Sequence, residues 1–383
     1  MNMTAQRMLV RDFICIFILC VFASERREFY IMSGDTGRKF RSAVLAVLTL
    51  SVSLSAVGCG HEKPVTEYGG EIAVICKAQG VQFWDAVRRG AEDGAEELNY
   101  TINYQATSND TELNAQIKMV EEAIDNNVSA IVIAPNDTEG LNVTLDKAVS
   151  KGIPVITVDS DVTYEERLAY IGSDNVSAGA VAAREVMEQL PDGGDIAIIG
   201  HVEKSQTAIE RINGFKEELA GVEVQKEIPV EDMNGEMKNA KIPDSKYHIV
   251  ATKYCENELE TANKQAKAIL QNYPDVKLIY GTNENSTTGI CDAVAEMGKA
   301  GEVKVIGFNA SDKEVAYIQD GTLTGTIVQN PYNMGYLGVK YADSAVHGDT
   351  SDLLPELITS VTLVTEENLN NEDIRFLINP VTN

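Results

Sequence analysis

The chain has 383 residues and a formal net charge of -26, with 44% hydrophobic, 23% charged and 6% aromatic residues. That length exceeds one small core and suits two domains of ~100 to 200 residues each, and the composition is that of a globular protein rather than a disordered or membrane-embedded one. The acidity argues against a nucleic-acid partner, because neutralising phosphates takes clustered Lys and Arg.

The amino terminus reads as an address. Arg38, Lys39 and Arg41 precede an uncharged run of small and apolar residues, Ser42 to Gly58, which ends Ala56-Val57-Gly58-Cys59. This is the layout of a secretory signal, with residues 32–58 as the signal peptide. A cysteine directly after small residues resembles the bacterial lipobox, in which the thiol is acylated and the chain cut just before it, although Ala56 stands where Leu is commonest. Cys59 is therefore the expected lipidation site, and residues 59–70, carrying Pro64 and charges, the tether. Residues 1–31 hold only a short apolar stretch, Phe13 to Ala23, and are expected to be an extension upstream of a true start at Met32.

Cys15 and Cys20 lie in that extension, which leaves Cys76, Cys255 and Cys291 beyond Cys59. None of the three has the short spacing of a metal or redox motif. Cys76 sits in an apolar strand pattern as a buried thiol, and a Cys255 to Cys291 disulfide stays open for an exported chain.

From Glu71 onward, short apolar runs alternate with amphipathic segments, the mark of repeated βα units and parallel sheets. Ile72 to Cys76 reads as a strand, and Asp85 to Leu98 as a helix with Val87, Ala91, Ala95 and Leu98 on one face. Leu113, Ile117, Val120 and Ile124 make the next helix, and the continuous run Ala130 to Ala134 a strand buried on both faces. A helix at Leu141 to Val149 and a strand at Ile153 to Val158 come next. A second series opens at Asp174, with strands at Ile196 to Gly200, His248 to Lys253, Lys277 to Tyr280 and Val303 to Gly307. The polar stretch 223–246 breaks the pattern and reads as a surface insertion.

In open parallel sheets, ligands bind beyond the carboxyl ends of the strands. Lys77, Phe83 and Trp84 come after the first strand, Pro135-Asn136-Asp137 after the run at 130–134, Asp159 after the next, and Asn283 and Asn309 after two strands of the second series. Singly, such residues are more often caps or turn formers. Their joint placement points to a ligand site.

The segments IAVICKAQGVQFWDAVRRGAEDGAEEL, IVIAPND, VITVDSD, YIGSDN, AIERINGF, YGTNEN, KVIGFNASD and GTIVQNP, in this order and spacing, resemble the type I periplasmic binding proteins for ribose, allose and related sugars. The resemblance implies an α/β fold of two Rossmann-like lobes with parallel sheets joined by three crossovers. These would fall near Ser173, Gln329 to Pro331, and Ser360 to Leu363. The amino-terminal lobe would take residues 71–173 and 331–361, and the carboxy-terminal lobe 174–330 and 362–383. It also implies that Lys77, Phe83, Trp84, Asp159, Asn283, Asn309 and Gln329 line the cleft, with Arg211 close. Flat aromatic faces suit the C–H face of a sugar, and amides and carboxylates its hydroxyls; each buried polar group left unpaired by the wrong epimer costs ~1 to 3 kcal/mol. Ribose binders carry Arg where this chain has Ser160, Asp where it has Asn309, and a further Arg where it has Ile209. On sequence the cleft therefore loses charge of both signs, which gives no ground for ribose in particular, while a neutral monosaccharide or close polyol still fits.

The implied function is an extracytoplasmic, lipid-anchored monomer that captures a small sugar-like molecule and presents it to the permease subunits of an ABC importer, with no cofactor, no metal and no catalysis. A binding protein reporting to a membrane sensor kinase or chemoreceptor is the alternative. A LacI-type regulator would need a helix-turn-helix in place of the signal peptide, and no GxSxG, HExxH or P-loop supports an enzyme. Cleft side chains face solvent when two lobes part, so replacing Trp84 or Asp159 is expected to cost ligand affinity and spare the stability of the free chain.

Overall fold

The computed structural model describes residues 69–221 and 246–379. The extension, the signal peptide, Cys59, most of the tether and nearly all of the insertion lie outside the described residues.

The first lobe is built from β1 (Glu71–Cys76), α1 (Gln82–Leu98), β2 (Thr101–Ala106), α2 (Leu113–Asp125), β3 (Ala130–Ile133), α3 (Asn142–Ser150), β4 (Val155–Val158) and β5 (Ala169–Ser173). Two later segments, α9 (Pro331–Val346) and β11 (Glu356–Thr359), return to it. Its six strands run in the order β11-β5-β4-β3-β1-β2, all parallel. The second lobe holds α4 (Asn175–Gln189), β6 (Gly194–Gly200), α5 (Gln206–Ala220), β7 (Tyr247–Tyr254), α6 (Leu259–Asn272), β8 (Val276–Gly281), α7 (Glu284–Glu296), β9 (Lys304–Phe308), α8 (Asp312–Gln319) and β10 (Gly325–Val328), completed by β12 (Thr362–Val364) and α10 (Glu372–Ile378). Its sheet order is β12-β10-β9-β8-β6-β7, parallel except for β12 against β10. The chain thus passes between the lobes three times, after β5, between β10 and α9, and between β11 and β12.

Both sheets are covered on both faces, which is why their central strands read as unbroken apolar runs. Ile72, Val74 and Cys76 of β1 pack with α1 and α9. Ala73 and Ile75, turned to the other face, pack with α2 and α3. In the second lobe Ile196 and Ile198 face α4 and α5, while Ala197 and Ile199 face α6 and α7. Each fully buried Val, Leu or Ile contributes ~1.5 to 3 kcal/mol.

Helix pairs cross through facing glycines in both lobes. A Cβ at Gly90 would stand 1.9 Å from the Tyr332 carbonyl oxygen, and one at Gly335 would stand 1.9 Å from that of Val87, so α1 and α9 meet backbone to backbone. Gly179 and Gly214 serve α4 and α5 in the same way, with contacts of 2.1 and 2.0 Å.

Two expectations change, and one open question closes. The first helix begins at Gln82 rather than Asp85, so Phe83 and Trp84 lie in its first turn and not in a loop. Strands β2, β5, β10, β11 and β12, absent from the strand reading, complete the sheets; β2 is a polar edge strand and the rest are short. Cys255 and Cys291 are separate buried thiols, not a disulfide.

Candidate functional site

All eight residues singled out by sequence, Lys77, Phe83, Trp84, Asp159, Arg211, Asn283, Asn309 and Gln329, line one chamber of about 40 Å³ between the lobes. Asn136 and Asp137 are not in its wall. Gln116 takes up Asn136 through the Asn136 backbone N–H, and Asp137 accepts from the backbone N–H groups of Glu139 and Gly140 as a turn former.

On the first-lobe side, Lys77 comes directly after β1 and Asp159 directly after β4, each 5% exposed. The Lys77 ammonium donates to Asp159 Oδ2 at 2.8 Å and to Ser160 Oγ, and Ser160 Oγ donates to the same carboxylate at 3.0 Å. Asp159 takes the left-handed region, φ 62°, which carboxylate and amide residues tolerate better than most. Its carbonyl accepts from Tyr170 OH at 2.9 Å. Phe83 and Trp84 are buried and meet edge to face with ring centroids 4.8 Å apart. The Lys77 ammonium lies 6.0 Å from the Trp84 ring centroid. The two rings therefore serve both the first-lobe core and the chamber wall.

On the second-lobe side, Arg211 on α5 is buried, donating to Asn175 Oδ1 at 2.9 Å and to the Thr282 carbonyl at 2.7 Å, with its guanidinium 3.7 Å over the Phe308 ring centroid. Amide, carbonyl and ring hold it, and among the described residues no carboxylate pairs with it. Asn283 caps α7, accepting from the Ser286 N–H at 3.0 Å, and still turns its Nδ2 to Asn257 Oδ1 at 2.7 Å. Helix cap and chamber wall are thus one residue. Gln329 donates to Asn309 Oδ1 at 3.1 Å.

Sequence reasoning missed Asp110, His201, Thr207 and Asn257 in the same wall. His201 and Asn257 lie just past β6 and β7, where the strand-end rule applies. Asp110 lies past β2, whose polar sequence gave no strand signal. His201 is buried with Nδ1 at 2.9 Å from Thr282 Oγ1 and Nε2 at 3.1 Å from both Ser205 Oγ and Thr207 Oγ1. Burial, reinforced by the charges of Arg211 and Lys77, holds its pKa well below the usual histidine range, so the ring is neutral. Withdrawal of the Asp110 carboxyl from water raises its pKa to about 6.

Charge in the cleft is relocated rather than lost. The ammonium of Lys77 lies against Ser160, where sequence suggested a missing cation, and Asp110 adds a carboxylate. Lys77 and Arg211 stand against Asp159, Asp110 and Glu284, so charge of both signs lines the chamber, a polar wall that suits an uncharged, hydroxyl-rich ligand. The lobes touch around this chamber. Asn109 Nδ2 donates to Glu258 Oε1 at 2.8 Å, and Asn257 Nδ2 to Asp110 Oδ1 at 3.1 Å. Glu284 offers its carboxylate to the Gln82 and Phe83 N–H groups, 3.4 Å each, capping α1 from the opposite lobe. No cap sits in the local sequence, as Val81 at the N-cap supplies no side-chain bond. The sequence pattern therefore signals the helix start three residues late.

Comparison with known proteins agrees with this architecture. The family described as periplasmic binding protein domain matches residues 72–350. The D-allose-binding periplasmic protein of Escherichia coli is 26% identical over 310 residues, spanning 79% of this chain and 89% of that protein. The ribose import binding protein of Bacillus subtilis is 25% identical, spanning 80% and 94%. Among solved structures, an ABC transporter solute binding protein from Agrobacterium vitis with bound D-fucose superposes with a TM-score of 0.72 at 29% identity, covering 81% of this chain and all of that one. A carbohydrate transporter solute binding protein from Agrobacterium radiobacter in complex with D-arabinose gives 0.71 at 26% identity, covering 81% and 99%.

Proposed function

The chain belongs to the periplasmic binding protein family, and on that premise we propose that it captures a small neutral sugar or polyol between its two lobes, outside the cytoplasm, and delivers it to an ABC importer. It is a binding protein and not an enzyme, as its relatives are. The observation that carries the reading is the convergence of strand-end side chains from both lobes on one chamber lined by charge of both signs beside Phe83 and Trp84. Relatives that bind allose, fucose and arabinose support the ligand class. The import role rests on the names of the relatives, one an import binding protein and one an ABC transporter component; a partner that senses rather than transports would use the same capture.

In this proposal Trp84 and Phe83 cover a face of the ring, Asp159, Asn283, Asn309 and Gln329 exchange hydrogen bonds with its hydroxyls, and Lys77 and Arg211 donate to its oxygens. The chamber's 40 Å³ is room for only a few waters, each of which needs ~10 to 15 Å³ by the same measure. A sugar enters, therefore, only when the lobes part and the rim bonds of Asn109 and Asp110 break. Contacts available only when both lobes meet then favour closure. A ligand that binds only the folded form stabilises it by RT ln(1 + [L]/Kd), about 2.7 kcal/mol at a hundredfold excess over Kd. The expected result is a raised melting temperature with at least one of D-allose, D-ribose, D-arabinose, D-fucose or xylitol. A flat response across neutral sugars and polyols contradicts the reading.

The membrane link belongs to the same proposal. Among the described residues no helix is long and apolar enough to cross a membrane. The AVGC ending at Cys59 supports anchoring through a lipid on that thiol, with the monomeric protein held outside the cell membrane. Cys59→Ser is expected to release the protein from the membrane fraction or leave it unprocessed. Mass spectrometry of the native protein decides the point, and an unmodified terminus upstream of Cys59 overturns it.

A further inference from the structure

A second, larger cavity of about 240 Å³ adjoins the chamber, and Phe83, Glu284, Asn309 and Gln329 belong to the walls of both. Resting on the sugar-capture reading, we propose that this outer cavity is an extension of the binding site and that the ligand is a neutral glycoside, a sugar ring whose uncharged, partly apolar substituent occupies it.

Three observations carry this. The first is size. The inner chamber offers little beyond what a ring itself must open, whereas the outer one approaches the ~300 Å³ lower end of small-molecule sites. The second is chemistry. Away from the shared wall the outer cavity is lined largely by apolar groups, Ala86 of α1, Val328 and Pro331 at the crossover, and Leu377 and Ile378 of α10. Its charged residues are Asp85 and Glu284, and neither Lys nor Arg is among them, so a phosphate or carboxylate on the sugar would meet only like charge. An uncharged group with apolar surface meets a matching wall.

The third is the partition. Glu284 separates the cavities while holding α1 through two bonds of 3.4 Å, beyond the usual 2.7 to 3.2 Å range for N–H···O bonds. Burial pushes its pKa up, so its charge is poorly solvated where it stands. Such a side chain can turn aside for a substituent without breaking a strong interaction. Both lobes and α10 supply the walls, so closure would grip the substituent as well as the ring.

The test compares free and substituted sugars by calorimetry on the purified protein, with D-fucose and D-arabinose set against both anomers of their 4-nitrophenyl glycosides. At least one glycoside is expected to bind tenfold or more tightly than its parent sugar. Ala86→Phe, whose ring fills the outer cavity, should bring the affinity ratio to one or below. Leu377→Ala, which removes part of the wall instead, should also lower it and guards against misfolding of the first variant. If the free sugars bind and no glycoside binds more tightly, the outer cavity is solvent and the proposal falls while sugar capture stands. A gain that survives both variants places the substituent elsewhere and equally overturns it. If these glycosides do not bind, this proposal falls, and if none of the five sugars and polyols named above binds either, the sugar-capture reading falls with it.

Discussion

Asp159→Ala is expected to lower sugar affinity ten- to a hundredfold and, contrary to what sequence alone suggested, to weaken the free protein as well. The carboxylate is buried and holds the Lys77 ammonium at 2.8 Å. Both residues belong to the first lobe, so the pair does not depend on closure. Removing one partner leaves an uncompensated charge, a loss of up to about 3 kcal/mol while the lobes keep the pair buried. Lost hydrogen bonds from a charged group to ligand hydroxyls add ~1.5 to 3 kcal/mol in binding, which is the affinity drop just stated. Alanine is also strained at the left-handed backbone of residue 159. Asp159→Asn separates the two effects, since asparagine accepts that backbone and lacks the charge. Pairing Asp159→Asn with Lys77→Met should restore most of the stability and none of the binding. Denaturant melts without sugar and calorimetry with it measure the two losses. Unchanged stability in Asp159→Ala would mean that the ion pair contributes nothing to the fold.

Gly335→Val is expected to destabilise the ligand-free protein by at least ~3 kcal/mol, the upper end for overpacking. A Cβ on residue 335 would sit 1.9 Å from the Val87 carbonyl oxygen and 2.9 Å from the Ala91 nitrogen. These are backbone atoms that no rotamer change can move. Intrinsic preference works the other way, because replacing a helical glycine with alanine gains up to ~1 kcal/mol. Gly335→Ala sets these effects against each other, and the clash should win. At Gly348, where φ is 74° and nothing lies within 4 Å of a built Cβ, the same change meets only backbone strain. A Gly335→Val protein that melts within 1 °C of the parent would show that α1 and α9 do not meet backbone to backbone.

Much of the site was legible because a parallel sheet sends its functional residues to one end of every strand. Lys77, Asp159, Asn283 and Asn309 stand at the carboxyl ends of apolar runs that periodicity alone picks out, and His201 and Asn257 occupy the same kind of position. Asp110 could not be found so, since β2 is polar and lies at the sheet edge. Contacts that cross space were also hidden. The ammonium beside Ser160 comes from residue 77, and the cap on α1 from Glu284 of the other lobe, so neither the placement of charge nor the helix start could be read locally. The three passages between lobes leave little trace in periodicity, because β10, β11 and β12 are only three or four residues long.

The central claim, a ligand held between the lobes against Trp84, has a direct reporter, because Trp84 is the sole tryptophan of the chain and stands in the chamber wall. The measurement is its fluorescence during titration with a sugar that calorimetry finds to bind. A saturable change in Trp84 emission with the calorimetric midpoint is expected, as sugar comes to lie against the ring. Saturable binding with constant Trp84 emission would mean that the ligand sits elsewhere.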